Sequence, residues 1–170
     1  PRAEPLRDGD MVCVDVGVKL DGWFGDGAFT IGVGHLTEEV RQLLATTRAA
    51  LDAGIDAAVA GGRLTDISHA VELAAIAGGA SVIREYGGHG IGRDLHEEPQ
   101  VPNYGAPGRG TLLRPGMTIA IEPMLNIGTW DTRVLDDGWT VVTADRKRSA
   151  HFEHTVAVMQ DRTEVLTTHL

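Results

Sequence analysis

Five side chains of the kinds that bind metal ions run in order along this chain, Asp15, Asp26, His89, Glu122 and Glu153, each set in glycine-rich or strand-like sequence. Four carboxylates and one imidazole can hold two hard or borderline divalent cations side by side, because a carboxylate can bridge two ions while an imidazole marks one of them. The chemistry that follows is hydrolysis by a metal-activated water. Asp15 and Asp26 carry like charges, and if they share a face one of them must take up a proton unless something positive lies between them. Glu122 closes an apolar run just before Pro123, and Glu153 stands between Phe152 and His154. A carboxylate in such surroundings costs several kcal/mol to desolvate without a partner. Arg133, Lys147 or Arg148 as ion-pair partners are the competing structural explanation for the two glutamates.

The stretch GGHGIGRDLHEEP is the most specific in the chain: glycines strip bulk from around His89, and His96 follows seven residues later. It lacks the Lys and Ser or Thr of a P-loop, so a phosphate cradle is not the reading. Cys13 precedes Asp15 by two residues and is explained at least as well as a small hydrophobe as by reactivity. His35 and His69 have no second donor at a useful spacing.

Residues so far apart in sequence must be carried by elements that bring them together. The segment MVCVDVGVK alternates, with Val12, Val14, Val16 and Val18 on one face and Met11, Cys13, Asp15 and Gly17 on the other, which predicts a half-buried strand. Trp23 to Ile31 reads as its hairpin partner. A four-residue loop pairs Asp15 with Asp26, and a tighter Asp21-Gly22 turn pairs Asp15 with Ala28; both registers keep the two aspartates on one face. Thr37 followed by Glu38 and Glu39 predicts a helix start, with Val40, Leu43, Leu44, Thr47 and Leu51 as its stripe and Gly54 as an interruption. Gly61-Gly62 breaks the chain, Thr65 caps a second helix with Ile67 and Val71 inward, and Gly78-Gly79 ends it. Residues 81–85 suggest a short strand, and 97–110, rich in proline and glycine, a surface loop. Arg114-Pro115-Gly116 turns the chain into the strand 117–121. Residues 140–143 and 151–159 are further strands, the second with Glu153 facing away from Val156 and Val158. Strand-rich ends flanking two helices give a mixed α+β class.

Composition sets bounds on function. The 170 residues, 42% of them hydrophobic, suit one domain. Twenty-four acidic against fifteen basic residues leave a formal net charge of -9, which repels a phosphate backbone and excludes nucleic acid as a direct partner. The single cysteine allows no internal disulfide, and no apolar run approaches the roughly 20 residues of a membrane span. A cytoplasmic protein with no membrane partner is expected.

Four segments, DGDMVCVDVGVKLDGWFGDGAFTIGVG, GGHGIGRDLHEEPQVPNYG, LRPGMTIAIEPM and AHFEHTVAV, together resemble the type I methionine aminopeptidases, over essentially all of Asp8 to Thr167. The resemblance implies the pita-bread fold, a curved antiparallel sheet covered by helices, and a dinuclear site. Asp15 would chelate one ion, Asp26 and Glu153 would bridge both, and His89 with Glu122 would complete the second. The two ions, Co, Mn, Fe, Zn or Ni, would activate a water against the first peptide bond of a substrate with N-terminal methionine and a small second residue. His96 would act as the catalytic and substrate-binding histidine that contacts the substrate amide, and Trp139 would lie near the methionine pocket. Peptide and nascent-chain N-termini are the implied partners, with the ribosome a further candidate and a monomer the expected state.

Prolidases and proline aminopeptidases share the five ligands, so an Xaa-Pro hydrolase is one alternative and a catalytically silent peptide- or ribosome-binding relative another. The 30 residues between Glu122 and Glu153 leave no room for the insertion typical of the type II branch. His151 stands where the resembled family often has Gln, and Leu95 where an aromatic is common. That family also carries a histidine in a His-Gly pair shortly before the position of Pro1, with upstream helices. The expectation is therefore a single catalytic domain, 1–170, lacking its N-terminal segment, with part of a sheet face bare. Loss of that histidine would cost on the order of 10² to 10⁴ in rate. Marginal stability follows for these residues alone: thermal unfolding without metal should fall below about 55 °C, and a midpoint at or above that value in a calorimetric scan contradicts it.

Overall fold

The computed structural model describes residues 4–168. Alternating valines build β1 (Met11–Leu20), and Asp21 and Gly22, at φ 50° and 82°, turn it back into β2 (Trp23–Gly32). Two successive positive φ values suit a two-residue hairpin loop whose twist matches the strands it joins. The register is accordingly the tighter one, with Asp15 opposite Ala28 and Gly17 opposite Asp26. The half-buried pattern holds only for part of β1. Val16, Val18 and Leu20 are exposed, because β1 is an edge strand while the core is built farther into the sheet.

Helix α1 (Glu38–Ala57) starts at Thr37, whose hydroxyl accepts from the Val40 N–H at 3.4 Å. Its inner stripe of Val40, Leu43, Thr47, Ala50, Leu51 and Gly54 is buried. Gly54 does not interrupt it as expected. A Cβ there would meet Val71 Cγ2 at 2.8 Å and Ile121 Cγ2 at 3.1 Å, so the glycine is where the helix comes closest to its neighbours. Helix α2 (Leu64–Ala77) starts two residues earlier than expected, with Arg63 as its cap and the Asp66 carboxylate accepting from the Arg63 N–H at 2.7 Å. Thr65 is not the cap; its hydroxyl donates instead to the Arg109 carbonyl.

The remaining strands are β3 (Ser81–Val82), β4 (Gly87–Gly90), β5 (Glu97–Pro102), β6 (Thr118–Ile121), β7 (Met124–Asn126), β8 (Thr132–Val134), β9 (Val141–Thr143), β10 (Ser149–His151), β11 (Glu153–Val158) and β12 (Thr163–Val165). The main sheet is antiparallel in the order β1-β2-β11-β6-β4-β5, with β12 beside β11. A second sheet runs β10-β7-β3, and β8 and β9 form a separate hairpin. The strand expected over 151–159 thus divides at Phe152 between two sheets. The loop expected over 97–110 begins as a strand instead, since Gly87 and Gly88 let β5 lie against β4 and bury Val101. Ile119, Ile121, Val156 and Val158 point from the main sheet into a core with Leu51, Ala58, Leu64 and Ile67 of the helical layer. The helices therefore cover one face and leave the alternate residues of β6 and β11 to the other.

Close approach of β4 to β6 depends on Gly88, where a Cβ would collide with the Ala120 carbonyl. Gly88→Ala should cost about 2 to 3 kcal/mol by forcing the strands apart. Urea unfolding would read this as a lower midpoint with an unchanged m-value, and an unaltered midpoint would show that the strands can give way.

Candidate metal centre

The register of the main sheet accounts for the convergence of residues that lie far apart in sequence. Asp15 pairs with Ala28 and Ala28 with Glu153; extending the β11–β6 register by one residue sets Glu153 opposite Glu122. In the next row, Gly17 pairs with Asp26, Thr155 with Ala120, and Ala120 with His89. Thr155 links the row by side chain, accepting from the Asp26 N–H at 2.9 Å and donating to the Asp26 carbonyl at 2.7 Å. Because positions two apart on a strand share a face, all five metal-type residues stand on the face opposite the helices. Each comes from, or just beyond, one of the five neighbouring strands β1, β2, β11, β6 and β4.

Distances confirm the convergence. Asp26, His89 and Glu153 each place a donor atom within 4.8 Å of the other two. His89 Nε2 lies 3.9 Å from Asp26 Oδ2 and 3.5 Å from Glu122 Oε1. Donor atoms that share one ion, each about 2.1 Å from it, can be at most about 4.2 Å apart, so the 3.9 and 3.5 Å separations from His89 suit a shared cation. Asp15 is the more open member, its side chain 58% exposed, while Glu153 is 2% exposed as a residue.

The electrostatics show what such a cluster costs. Burial, then the nearby charges of Asp15 and Asp26, push Glu122 up to about 8. Burial, reinforced by Glu122, Asp26 and Asp15, pushes Glu153 up to about 9. Among the described residues Glu153 Oε1 is buried with no hydrogen-bond partner. No Arg or Lys among them forms an ion pair with Glu122 or Glu153; the groups nearest Glu122 are the imidazoles of His89 and His151. Arg133, Lys147 and Arg148 do not fill the partner role that sequence allowed them. A buried carboxylate set without a counter-charge has the donor chemistry for divalent cations and is poorly served by anything else in the chain.

The imidazole is oriented from behind. His89 Nδ1 lies 2.9 Å from the Gly90 carbonyl, which accepts its proton and leaves Nε2 free toward the carboxylates. The His96 ring meets the His89 ring edge-on, with centroids 4.4 Å apart, at an exposed position. Its loop is tied to the hairpin by the Phe24 N–H donating to the Gly92 carbonyl at 2.8 Å and by Arg93 over the Trp23 ring at 3.7 Å. Trp139 lies in the turn between β8 and β9, 87% exposed.

Two contributors escaped the sequence reading. Thr155 bonds both backbone atoms of Asp26, and His151 sets Nδ1 4.0 Å from Asp15 Oδ2 and Nε2 3.6 Å from Glu122 Oε2. The signal for both was the spacing in His151-Phe152-Glu153-His154-Thr155, which puts all three odd-numbered residues on Glu153's face. Burial pushes the His151 imidazole down, against the upward pull of Asp15 and Asp26.

The family model of metallopeptidase family M24 matches residues 1–160. The chain is 50% identical over 98% of its length to the methionine aminopeptidase of Clostridium perfringens, and 54% identical over 97% to methionine aminopeptidase 1 of Mycobacterium tuberculosis. It spans 67% and 64% of the lengths of those two proteins. The crystal structure of methionine aminopeptidase from Rickettsia prowazekii superposes with a TM-score of 0.95 at 43% identity, covering 98% of this chain and 68% of that one. Prolidase from Pyrococcus furiosus shares the fold at 22% identity and a TM-score of 0.76, covering 99% of this chain and 44% of that one.

The metal-free protein should respond to pH with a defined sign. Glu122 and Glu153 hold their protons in the folded state up to about 8 and about 9, whereas the unfolded chain releases them from their ordinary value of 4.5. The stability they contribute is full below that ordinary value and drains away as pH rises through the folded values. With a chelator present, the melting temperature should be about 5 °C or more lower at pH 8.5 than at pH 5.5, and saturating Mn(II) or Co(II) should remove the slope. A chelated protein that melts higher at pH 8.5 would contradict the assignment.

Proposed function

Because this chain belongs to metallopeptidase family M24 and, within it, to the methionine aminopeptidases, we propose that it removes the N-terminal methionine from peptides and nascent chains whose second residue is small. The observation that supports this most directly is a pair of glutamates, Glu122 largely buried and Glu153 fully so, gathered with Asp15, Asp26 and His89 on one sheet face with no counter-charge from Lys or Arg among the described residues. We assign Asp15, Asp26, His89, Glu122 and Glu153 as the residues that would hold two divalent cations drawn from Co, Mn, Fe, Zn and Ni. Bound divalent ions lower the pKa of water and polarise a carbonyl oxygen, which is the chemistry that peptide hydrolysis needs.

The chain's own groups supply position and polarity around that chemistry. Thr155 fixes the backbone of Asp26, so its carboxylate keeps its place as the substrate arrives. Gly90 fixes the tautomer of His89. His96, exposed beside the His89 ring and held by a loop anchored to the β1–β2 hairpin, is the group we assign to hydrogen-bond the amide at the scissile bond. An imidazole can donate to the carbonyl or accept from the N–H, and either contact orients the bond to be cut. Trp139 is assigned to the methionine side chain: its indole is uncovered and offers a broad apolar surface.

A single catalytic domain acting as a monomer in the cytoplasm, at the ends of chains leaving the ribosome, completes the proposal. Among the described residues no helix is long and apolar enough to cross a membrane. Incubation with Met-Ala and Met-Gly peptides under Co, Mn, Fe, Zn or Ni should release methionine, and Xaa-Pro peptides should remain uncut. Asp26→Asn and Glu153→Gln should each lower kcat/KM by more than the roughly 10–100-fold that changes to groups behind a ligand cost, together with loss of stoichiometric metal uptake. Failure to release methionine under any of the five metals would end the proposal.

A further inference from the structure

His151 ends β10 in the second sheet, yet its ring lies beside the site face of the main one. Thr30 fixes its backbone at both atoms: the His151 N–H donates to the Thr30 hydroxyl at 3.0 Å, and that hydroxyl donates to the His151 carbonyl at 2.7 Å. The ring is thereby held two residues from Glu153 and beside both Asp15 and Glu122. Its two nitrogens meet different surroundings. Nδ1 faces two groups able to receive a proton, Asp15 Oδ2 at 4.0 Å and Cys13 Sγ at 3.8 Å. Nε2 is buried and, among the described residues, has no hydrogen-bond partner; its neighbour Glu122 Oε2 is 3.6 Å away, beyond hydrogen-bond range.

That separation, too long for a hydrogen bond, is within the limit of about 4.2 Å for two donors on one ion. It also repeats the relation of His89 to the other oxygen of the same carboxylate, at 3.5 Å. We propose that His151 is a sixth donor of this centre, contributing Nε2 alongside Glu122, so that the carboxylate stands between two imidazoles. The inference rests on reading the acidic cluster as a divalent-metal site. A proton on Nδ1 directed toward Cys13 Sγ, at 3.8 Å within reach for a sulfur acceptor, leaves Nε2 bare, which is the tautomer a ligand needs. A second nitrogen donor moves the site's preference away from the oxygen-seeking Mn(II) and toward Co(II), Fe(II) and Zn(II).

Proton NMR of the cobalt-loaded protein tests this without reference to catalysis, since a ring N–H on a cobalt-bound imidazole is shifted far outside the diamagnetic range. Two such exchangeable signals are expected, and His151→Gln should leave one. By calorimetry the same substitution should weaken Co(II) binding about 10–100-fold and Mn(II) binding by less. One shifted signal in the parent protein, with unchanged cobalt affinity in the variant, would overturn the role of His151 and leave the metal reading standing. Two signals in both proteins would overturn it as well, by assigning the second imidazole to another histidine. Absence of saturable cobalt uptake by the parent would overturn both readings together. The signal count in the parent needs no variant, so a His151→Gln protein that fails to fold does not protect the proposal.

Discussion

Four carboxylates held on one face of a sheet repel one another, and the rest of the architecture is organised around that repulsion. Burial sharpens it, because Glu122 and Glu153 have lost the water that would screen them and both hold protons well above the usual carboxylate range. A sheet is well suited to bear this strain. Its backbone bonds are satisfied between strands, so the side chains need not contribute to the scaffold that carries them. The helices on the far face supply the hydrophobic energy through Ile119, Ile121, Val156 and Val158, which alternate with the residues of the site face along the same strands. Stability and chemistry are thereby divided between the two sides of one layer.

Much of the site was legible in the sequence because its donors sit in strands, where a period of two assigns each residue to a face. Asp15 and Asp26 share a face under either hairpin register, so uncertainty in the turn did no harm; the φ values at Asp21 and Gly22 then selected the tighter pairing. Glu153 facing away from Val156 was equally readable. The order of strands was not, because β2 meets β11 and β4 meets β6 through pairings that no local pattern encodes.

The misses have local physical causes. Gly54 looked like a helix breaker, yet its missing side chain is what lets α1 approach Val71 and Ile121. Thr65 looked like a cap, and Asp66 took that task because its carboxylate reaches the Arg63 N–H. The prolines of 97–102 hid a strand that exists because glycines on β4 let it come near. His151 was seen as a departure from a resembled pattern, and its alternation with Glu153 was not followed to the same face.

The pairing of Ala28 with Glu153 joins the second strand of the chain to its eleventh. During synthesis the hairpin of β1 and β2 can form as soon as it emerges, but its aspartates must wait for β11 before Glu153 stands beside them. Contacts so distant in sequence pay their loop-closure entropy before they return anything, which makes them slow to form. On the proposed assignment, metal capture is thus a late event in the life of the polypeptide, and a chain interrupted before Glu153 would display Asp15 and Asp26 on one hairpin without the rest of the cluster.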